Sequence, residues 1–276
     1  MTRFGIALPG GGGVPLAPSG LADAARNIEA AGFSSAWTFD AIGRGSLLPD
    51  PLSALAIAGT VTQQIELGTG ILQVPLRNAV ELAQRVLTTH LTSGGRLRLG
   101  VGSGSTAGDF AALGLDFASR IRVLDASLAT MRRLWAGERV GQASLAPVWP
   151  AAAGGPPILI GSWAGSRWIV RAARDFDGWV GSGARSTWGL LRQGIVRFRE
   201  LGGKRAVVTN VVVDLDQTAP SPAGLDDPFD LKCPPEVARE RLHHLCELGF
   251  DDVVLVVRRH DAAYLKELHA LAVSAR

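Results

Sequence analysis

The chain has 276 residues, which is long enough for one large domain, since an α/β barrel needs roughly 250 residues. Apolar residues make up 47% of the sequence and charged residues 19%, so global disorder is excluded and a large buried core is feasible. The net charge of +3 is spread along the chain without a basic cluster, which gives no support for nucleic-acid binding.

The cysteines and the apolar runs of the sequence indicate the compartment in which the protein works. Cys233 and Cys246 show no CxxC spacing and have no histidine at ligand spacing, so we expect no metal site and a reducing compartment. The apolar run near the N-terminus is too short for a signal peptide, and no uncharged run reaches the roughly 20 residues of a membrane helix. We therefore expect a cytoplasmic protein that binds neither membrane nor nucleic acid.

Strand and helix patterns alternate along the chain. The first half predicts strands at 4–8, 35–39, 65–72 and 97–101, with helices over 19–31, after Asp50 and Pro51, and over 78–92. A further helix carries Leu124, Leu128, Met131 and Trp135 at helical spacing. The second half predicts strands near 157–161, 178–181, 206–213 and 252–257, with helices near 164–174, 187–200, 234–247 and 262–274.

Eight short strands that alternate with eight helices favour a (β/α)₈ TIM barrel over an open sheet. We expect a single domain over residues 1–276, with excursions at 102–118, 137–156 and 216–234. In such a barrel the ligand lies at the carboxyl ends of the strands.

Three of the predicted strands end in loops of glycine and serine. These loops begin at Gly102, Gly161 and Gly181. Small residues let backbone N–H groups converge on an anion, and serine hydroxyls add further donors. Three such loops at corresponding strand ends predict a phosphorylated ligand at one rim of the barrel.

Other residues at the rim allow two interpretations each. Asp40 ends the second strand, where it could contact a ligand or accept hydrogen bonds within an Asx-type turn. His260 is the histidine placed at the rim, although a solvated charge cluster also explains it. Trp163 and the tryptophans at positions 37, 179 and 188 are core candidates, or walls of a pocket for a planar heterocycle.

The candidate cofactor-binding residues at these strand ends form one set. They are Asp40, Gly70, Ile71, Gly102, Ser103, Gly104, Gly161, Ser162, Trp163, Gly165, Gly181, Ser182 and Gly183. Asp40 is also the candidate for a catalytic role.

Several segments make the sequence resemble the luciferase-like flavin and deazaflavin oxidoreductases. The matching segments fall within residues 3–200, and the strongest are SGGRL at 93–97, LGVG at 99–102, LWAG at 134–137 and DGW at 177–179. This resemblance implies a barrel that binds reduced FMN or the deazaflavin F420 with the ring at its mouth. It also implies a non-proline cis peptide at Gly70–Ile71 and a phosphate held by the loops after strands five and six.

One departure from the family pattern concerns the end of the second strand. Many F420-dependent members carry Asp-His there, whereas this chain has Asp40 and Ala41. The departure favours FMN and leaves the acid/base group unassigned.

The resemblance implies a monooxygenase that uses reduced FMN and O₂ on a small organic substrate. A separate flavin reductase is the expected source of reduced FMN, and a homo-oligomer is compatible with the sequence. The alternatives are F420-dependent hydride transfer, a flavin-binding relative without turnover, and a flavin-free sugar-phosphate enzyme on the same barrel.

Overall fold

Eight parallel strands close into a barrel surrounded by helices, as the sequence predicts. The computed structural model describes residues 1–10, 16–45 and 47–276. Within these ranges the barrel strands are β1 (Arg3–Ala7), β2 (Ser35–Thr38), β3 (Glu66–Thr69), β4 (Leu97–Gly102), β5 (Ile158–Gly161), β6 (Gly178–Ser182), β7 (Arg205–Asp214) and β8 (Asp252–Val256). Each strand pairs with its sequence neighbours, and β8 pairs with both β7 and β1, which closes the barrel.

A helix of seven to sixteen residues follows each barrel strand. The helices are α1 (Gly20–Ala30), α2 (Pro51–Val61), α3 (Ala79–Thr92), α4 (Arg120–Trp135), α5 (Trp168–Arg174), α6 (Trp188–Glu200), α7 (Pro235–Glu247) and α8 (Ala262–Ser274). Asp50 begins α2 by accepting a hydrogen bond of 2.9 Å from the backbone N–H of Ser53. Pro51 occupies the first turn, where no partner for an N–H is needed.

The structure differs from the predicted elements at four places. The predicted strand at 65–72 is interrupted at Gly70–Ile71, where the cis peptide that the resemblance implies is present, and the chain resumes as the short strand Leu72–Gln73 beside β4. The connection after β4 contains a short helix, Ala107–Ala112, and the excursion before α7 contains the short strand Leu231–Lys232. Helix α5 begins later than predicted, because residues 161–167 form the loop that follows β5.

The barrel interior is packed around Trp37. This side chain is fully buried and contacts an inner layer of aliphatic residues from the other strands, namely Leu159, Val180, Val207 and Val254. Gly68 makes room for the indole, because a Cβ at that position would overlap the ring. Ile71 packs on this layer at the side that faces the mouth of the barrel.

Charged side chains form the layer at the amino ends of the strands. Glu66 contacts Arg98 at 2.6 Å and is also hydrogen-bonded to Arg205. Arg205 Nε lies 2.8 Å from Asp252 Oδ2, and Arg3 contacts the same aspartate at 3.0 Å. Although burial alone would raise the pKa of Glu66, the hydrogen bond from Arg205 and the surrounding arginine charges hold it below its usual value.

The outer core lies between the strands and the helices. Its largest buried members include Trp135 and Trp179, which packs against Phe198 and Phe250. Across residues 1–10, 16–45 and 47–276, we find no helix with the length and apolarity needed to cross a membrane.

Candidate functional site

A cavity of about 360 Å³ opens at the carboxyl ends of the strands. This volume lies within the range of about 300–1,000 Å³ that is typical of small-molecule sites. Its walls come from the ends of β3 to β7 and from the first turns of α4. The lining includes Gly70, Ile71, Gly102, Ser103, Gly104, Gly161, Ser162, Trp163, Gly181 and Ser182 from the predicted set.

Glycines at the strand ends create part of this space. A Cβ at Gly161 would overlap the Cγ2 methyl of Ile71, and a Cβ at Gly102 would lie 2.9 Å from Ile71 Cδ1. Ile71 therefore forms the floor of the cavity only because two neighbouring strands carry no side chain there.

Three buried polar atoms of the lining residues are unsatisfied. The hydroxyls of Ser162 and Ser182 and the Nε of Arg120 have no hydrogen-bond partner in the part of the chain that the structure describes. Buried polar atoms in native proteins are normally paired, and an unpaired one costs about 1–3 kcal/mol. Three such atoms at one cavity therefore fit a ligand rich in hydrogen-bond acceptors.

The cavity also has a charge preference. Arg120 begins α4, stacks its guanidinium 3.9 Å from the centroid of Phe117 and donates to the carbonyl of that residue at 2.9 Å. Arg185, which is exposed, lies at the edge of the same cavity. Both cations face a space bordered by serine hydroxyls, so the site is suited to an anionic group such as phosphate.

A network of hydrogen bonds around the buried carboxylate of Asp109 fixes the loop that follows β4. Arg44 holds Asp109 through two hydrogen bonds of 2.8 and 2.6 Å, and Gln73 donates to the same carboxylate at 2.9 Å. Burial alone would raise the pKa of Asp109, but these hydrogen bonds hold it below its usual value. The network connects the loops after β2, β3 and β4, and it supports Gly104, whose φ of +78° lies in the left-handed region.

Asp40 lies outside the lining of this cavity. Its carboxylate binds Arg77 through hydrogen bonds of 2.6 and 3.0 Å and accepts the backbone N–H of Gln73 at 2.8 Å. The Asp40 side chain is 1% exposed and that of Arg77 is 9% exposed, so the ion pair is buried. Asp40 thus holds the chain just after Ile71, and its partners come from the segment after β3 and not from its own loop.

Two of the predicted glycines, Gly165 and Gly183, also lie outside the cavity lining. Gly165 faces α6, since a Cβ there would lie 3.3 Å from Leu190 Cδ2. Gly183 lies against the segment around Phe229, whose backbone N–H donates to the Gly183 carbonyl at 3.3 Å. The structure therefore places Gly165 and Gly183 beside the cavity lining but not in it.

The aromatic and histidine candidates divide between core and rim. The tryptophans at positions 37 and 179 are core, and Trp188 stacks on Phe229 away from the main cavity. Trp163 lines the cavity and is 59% exposed. His260 Nε2 lies 2.8 Å from the carbonyl oxygen of Ala7, and burial lowers its pKa.

Several lining residues were not among the predictions. Arg120, Arg185, Thr209 and Asn210 all border the cavity. Arg120 could have been found from its place at the start of a helix that follows a glycine-rich strand end. Thr209 and Asn210 lie within a continuous valine-rich stretch that indicates only a buried strand.

The fold and this site together define a parallel (β/α)₈ barrel with a cavity at its carboxyl-terminal rim that is bordered by two arginines and several serines. The model of the luciferase-like monooxygenase family matches residues 2–215. The chain therefore belongs to the luciferase-like monooxygenase family, and the predicted resemblance is confirmed.

Two curated relatives illustrate the range of the family. The 4-hydroxyprotoasukamycin monooxygenase of Streptomyces nodosus subsp. asukaensis is 31% identical over 112 residues, which is 40% of this chain and 30% of that protein. The F420-dependent glucose-6-phosphate dehydrogenase of Nocardia farcinica is 33% identical over 180 residues, which is 59% of this chain and 53% of that protein. The matches to the first curated relatives span about a third of their length.

A solved structure supports the fold over the whole chain. The oxygenating constituent of 3,6-diketocamphane monooxygenase from the CAM plasmid of Pseudomonas putida, a type II Baeyer-Villiger monooxygenase in complex with FMN, superposes with a TM-score of 0.79. The alignment covers 100% of this chain and 98% of that chain at 17% identity. Members of the family use FMN or F420, and the cavity fits that class of cofactor.

Proposed function

We propose that this protein binds reduced FMN and acts as a monooxygenase on a small organic substrate. The observation that carries the proposal is the set of unsatisfied buried atoms, Ser162 Oγ, Ser182 Oγ and Arg120 Nε, at one cavity. A phosphate and a polyol chain supply the oxygen atoms that these three groups lack.

The order of the strands around the cavity gives the ligand a direction. Arg120 and Ser162 follow β4 and β5 and define one flank of the cavity. We assign the phosphate to this flank, because the guanidinium can form charge-assisted hydrogen bonds to it. Ser182 ends β6, closer to the other flank, and its hydroxyl is suited to the polyol chain.

The apolar floor fits the ring. Ile71 and Val180 face the cavity from below, and Trp163 borders it from the side. These side chains form an apolar floor and side wall that cover one face of the heterocycle. Bound reduced FMN supplies the electrons for the reaction with O₂, while the chain itself binds, orients and shields the reactants.

Two alternative functions use the same cavity. Hydride transfer with F420 is favoured by the similarity to an F420-dependent dehydrogenase over 59% of this chain, whereas Ala41 stands where many F420-dependent members carry histidine. A flavin-binding protein without turnover requires the same phosphate and ring contacts. Binding therefore tests the site, and turnover separates the alternatives.

The binding experiment titrates the protein with FMN, riboflavin and F420 and follows ligand fluorescence. We expect FMN to bind at least about tenfold more tightly than riboflavin, because hydrogen bonds to a charged group contribute about 1.5–3 kcal/mol. The substitution Arg120→Gln should reduce this preference severalfold, while Arg185 remains at the edge of the cavity. Arg122→Gln is the matched control, because Arg122 is exposed on the same helix and does not line the cavity.

A second matched pair tests the serine hydroxyls. Ser182→Ala should weaken FMN binding, whereas Ser186→Ala should not. Ser186 also carries a buried hydroxyl without a partner in the described chain, but it does not line the cavity. Equal affinities of the wild type for FMN and riboflavin would contradict the phosphate assignment.

Turnover is tested with a flavin reductase, NADH, FMN and ¹⁸O₂ over a panel of small ketones, alkenes and phenols. Incorporation of ¹⁸O into an organic product supports the monooxygenase. Oxidation or reduction of F420 coupled to a substrate without O₂ supports hydride transfer instead. Tight FMN binding without either reaction favours the non-catalytic alternative.

A further inference from the structure

Asn210 has an unusual backbone conformation. Its φ is +57°, and among the described residues it is the one non-glycine residue with a positive φ. Side chains with a Cβ rarely adopt this left-handed conformation, although asparagine tolerates it better than most. Such a residue in the middle of a barrel strand calls for a local explanation.

The pairing of β7 with β8 supplies that explanation. Val208 pairs with Val253 and Val211 pairs with Leu255. Two residues of β7 therefore stand opposite one residue of β8, which is the pattern of a β-bulge. The additional residue on β7 is accommodated at Thr209 and Asn210.

The bulge changes which side chains face the ligand. Val207 faces the barrel interior, while Val208 and Val211 both pack in the outer core although they are three positions apart. Regular alternation would place them on opposite faces. Because the bulge shifts the alternation by one residue, Thr209 and Asn210 both border the cavity.

The carboxamide of Asn210 has hydrogen-bonding capacity left for a ligand. Its Nδ2 donates to Thr209 Oγ1 at 3.1 Å, and this is its one side-chain hydrogen bond in the described part of the chain. Thr209 Oγ1 in turn donates to the carbonyl of Gly181 at 3.1 Å, which orients the amide. One N–H and the carbonyl oxygen of Asn210 thus stay available at the cavity.

We infer that Asn210 recognises the pyrimidinedione edge of the bound ring through its carboxamide. This inference rests on the proposed function, which assigns the phosphate to the flank of Arg120 and Ser162. The ring then lies over Ile71, and its far edge meets β7 at Asn210. That edge alternates C=O and N–H groups in both FMN and F420, so a carboxamide matches it with one acceptor and one donor.

The test measures affinity and not turnover. FMN and its N3-methyl derivative, which lacks the imide N–H, are titrated against the wild type, Asn210→Gly and Asn210→Asp. Glycine keeps the positive φ without strain and removes the carboxamide. Aspartate keeps the shape and the tolerance of this conformation but replaces the remaining N–H donor with an acceptor.

The wild type should bind FMN about threefold to tenfold more tightly than N3-methyl-FMN, because the methyl group removes one net hydrogen bond. Asn210→Gly should bind FMN about tenfold more weakly than the wild type and should not distinguish the two flavins. Asn210→Asp should also bind FMN more weakly, because its carboxylate opposes a ring carbonyl. If the wild type prefers F420, the same variants are compared on F420.

The experiment distinguishes a failure of this inference from a failure of the proposed function. If Asn210→Gly binds as tightly as the wild type or keeps the full preference for FMN over N3-methyl-FMN, the inference about Asn210 is overturned and the proposed function stands. If the wild type binds neither FMN nor F420, the proposed function is overturned, and the inference falls with it.

Discussion

Ile71 packs its branched side chain into the space that the missing side chain of Gly161 leaves open. A Cβ at Gly161 would overlap the Cγ2 methyl of Ile71. Since Ile71 also rests on the inner layer around Trp37, it cannot move down when it is pushed from the side. The shape of the cavity floor therefore depends on a contact between an isoleucine on one strand end and a glycine on another.

The first prediction follows from this contact. Gly161→Ala should displace Ile71, lower the free energy of unfolding by about 1–3 kcal/mol as in other overpacked sites, and weaken FMN binding. Urea unfolding and a fluorescence titration measure the two effects. Gly108→Ala is the control, because a Cβ there meets no heavy atom within 4 Å and alanine favours the helix. Unchanged FMN affinity in Gly161→Ala would show that the floor can adapt.

The barrel could be predicted from the sequence because its two periodicities are regular. Short apolar strands alternate with amphipathic helices, and the strand ends at Gly102, Gly161 and Gly181 carry small residues just where a ligand must approach the backbone. These features are local, and local composition is what a sequence shows directly.

The rest of the site depends on contacts between distant residues. Asp40 pairs with Arg77, 37 positions later in the chain, and nothing near Asp40 indicates that its carboxylate is already bound. The bulge at Asn210 could not be predicted from the sequence for a related reason. Its surroundings are valines on both sides, which indicate a regular strand, and the register against β8 decides which side chains turn inward.

The second prediction concerns the buried ion pair of Asp40. Asp40→Asn should lower the free energy of unfolding by about 2–3 kcal/mol, because the substitution leaves the Arg77 guanidinium buried without its carboxylate partner. The nearby Asp50, 3.7 Å from Arg77, compensates in part. Chemical denaturation and FMN titration of the same variant measure stability and affinity separately.

The control for this variant is Asp23→Asn, whose partner Arg26 and whose own side chain are each 55% exposed. Little loss of stability is expected there, because exposed ion pairs contribute little. Full stability of Asp40→Asn together with a loss of FMN affinity or turnover would instead establish a direct role of Asp40 in the site.

The third prediction concerns the charged layer at the amino ends of the strands. Glu66→Gln should lower the free energy of unfolding by about 3 kcal/mol, because Arg98 and Arg205 then lose a buried carboxylate. The denaturant midpoint of the variant gives the loss directly. FMN affinity should stay near the wild-type value, since this layer is separated from the cavity by the inner layer around Trp37.

Glu138→Gln serves as the control for Glu66, since Glu138 and its partner Arg133 are about half exposed at 53% and 52%. Equal denaturant midpoints for the two variants would mean that the charged layer contributes no more than an exposed ion pair.

The last prediction concerns pH and His260, which connects the end of β8 to β1. Burial lowers the pKa of His260, so the unfolded chain, whose histidine has an ordinary pKa of about 6.5, takes up a proton at this position more readily than the folded protein. The unfolded state therefore binds more protons, and the free energy of unfolding should fall as the pH drops from 7.5 to 5.5.

His260→Gln should flatten this dependence, because glutamine keeps a donor for the Ala7 carbonyl but does not titrate. His90 and His269, whose pKa values burial also lowers, remain in the variant and should preserve part of the slope. Urea unfolding across this pH range measures both proteins, and parallel curves would show that His260 does not contribute to the pH dependence.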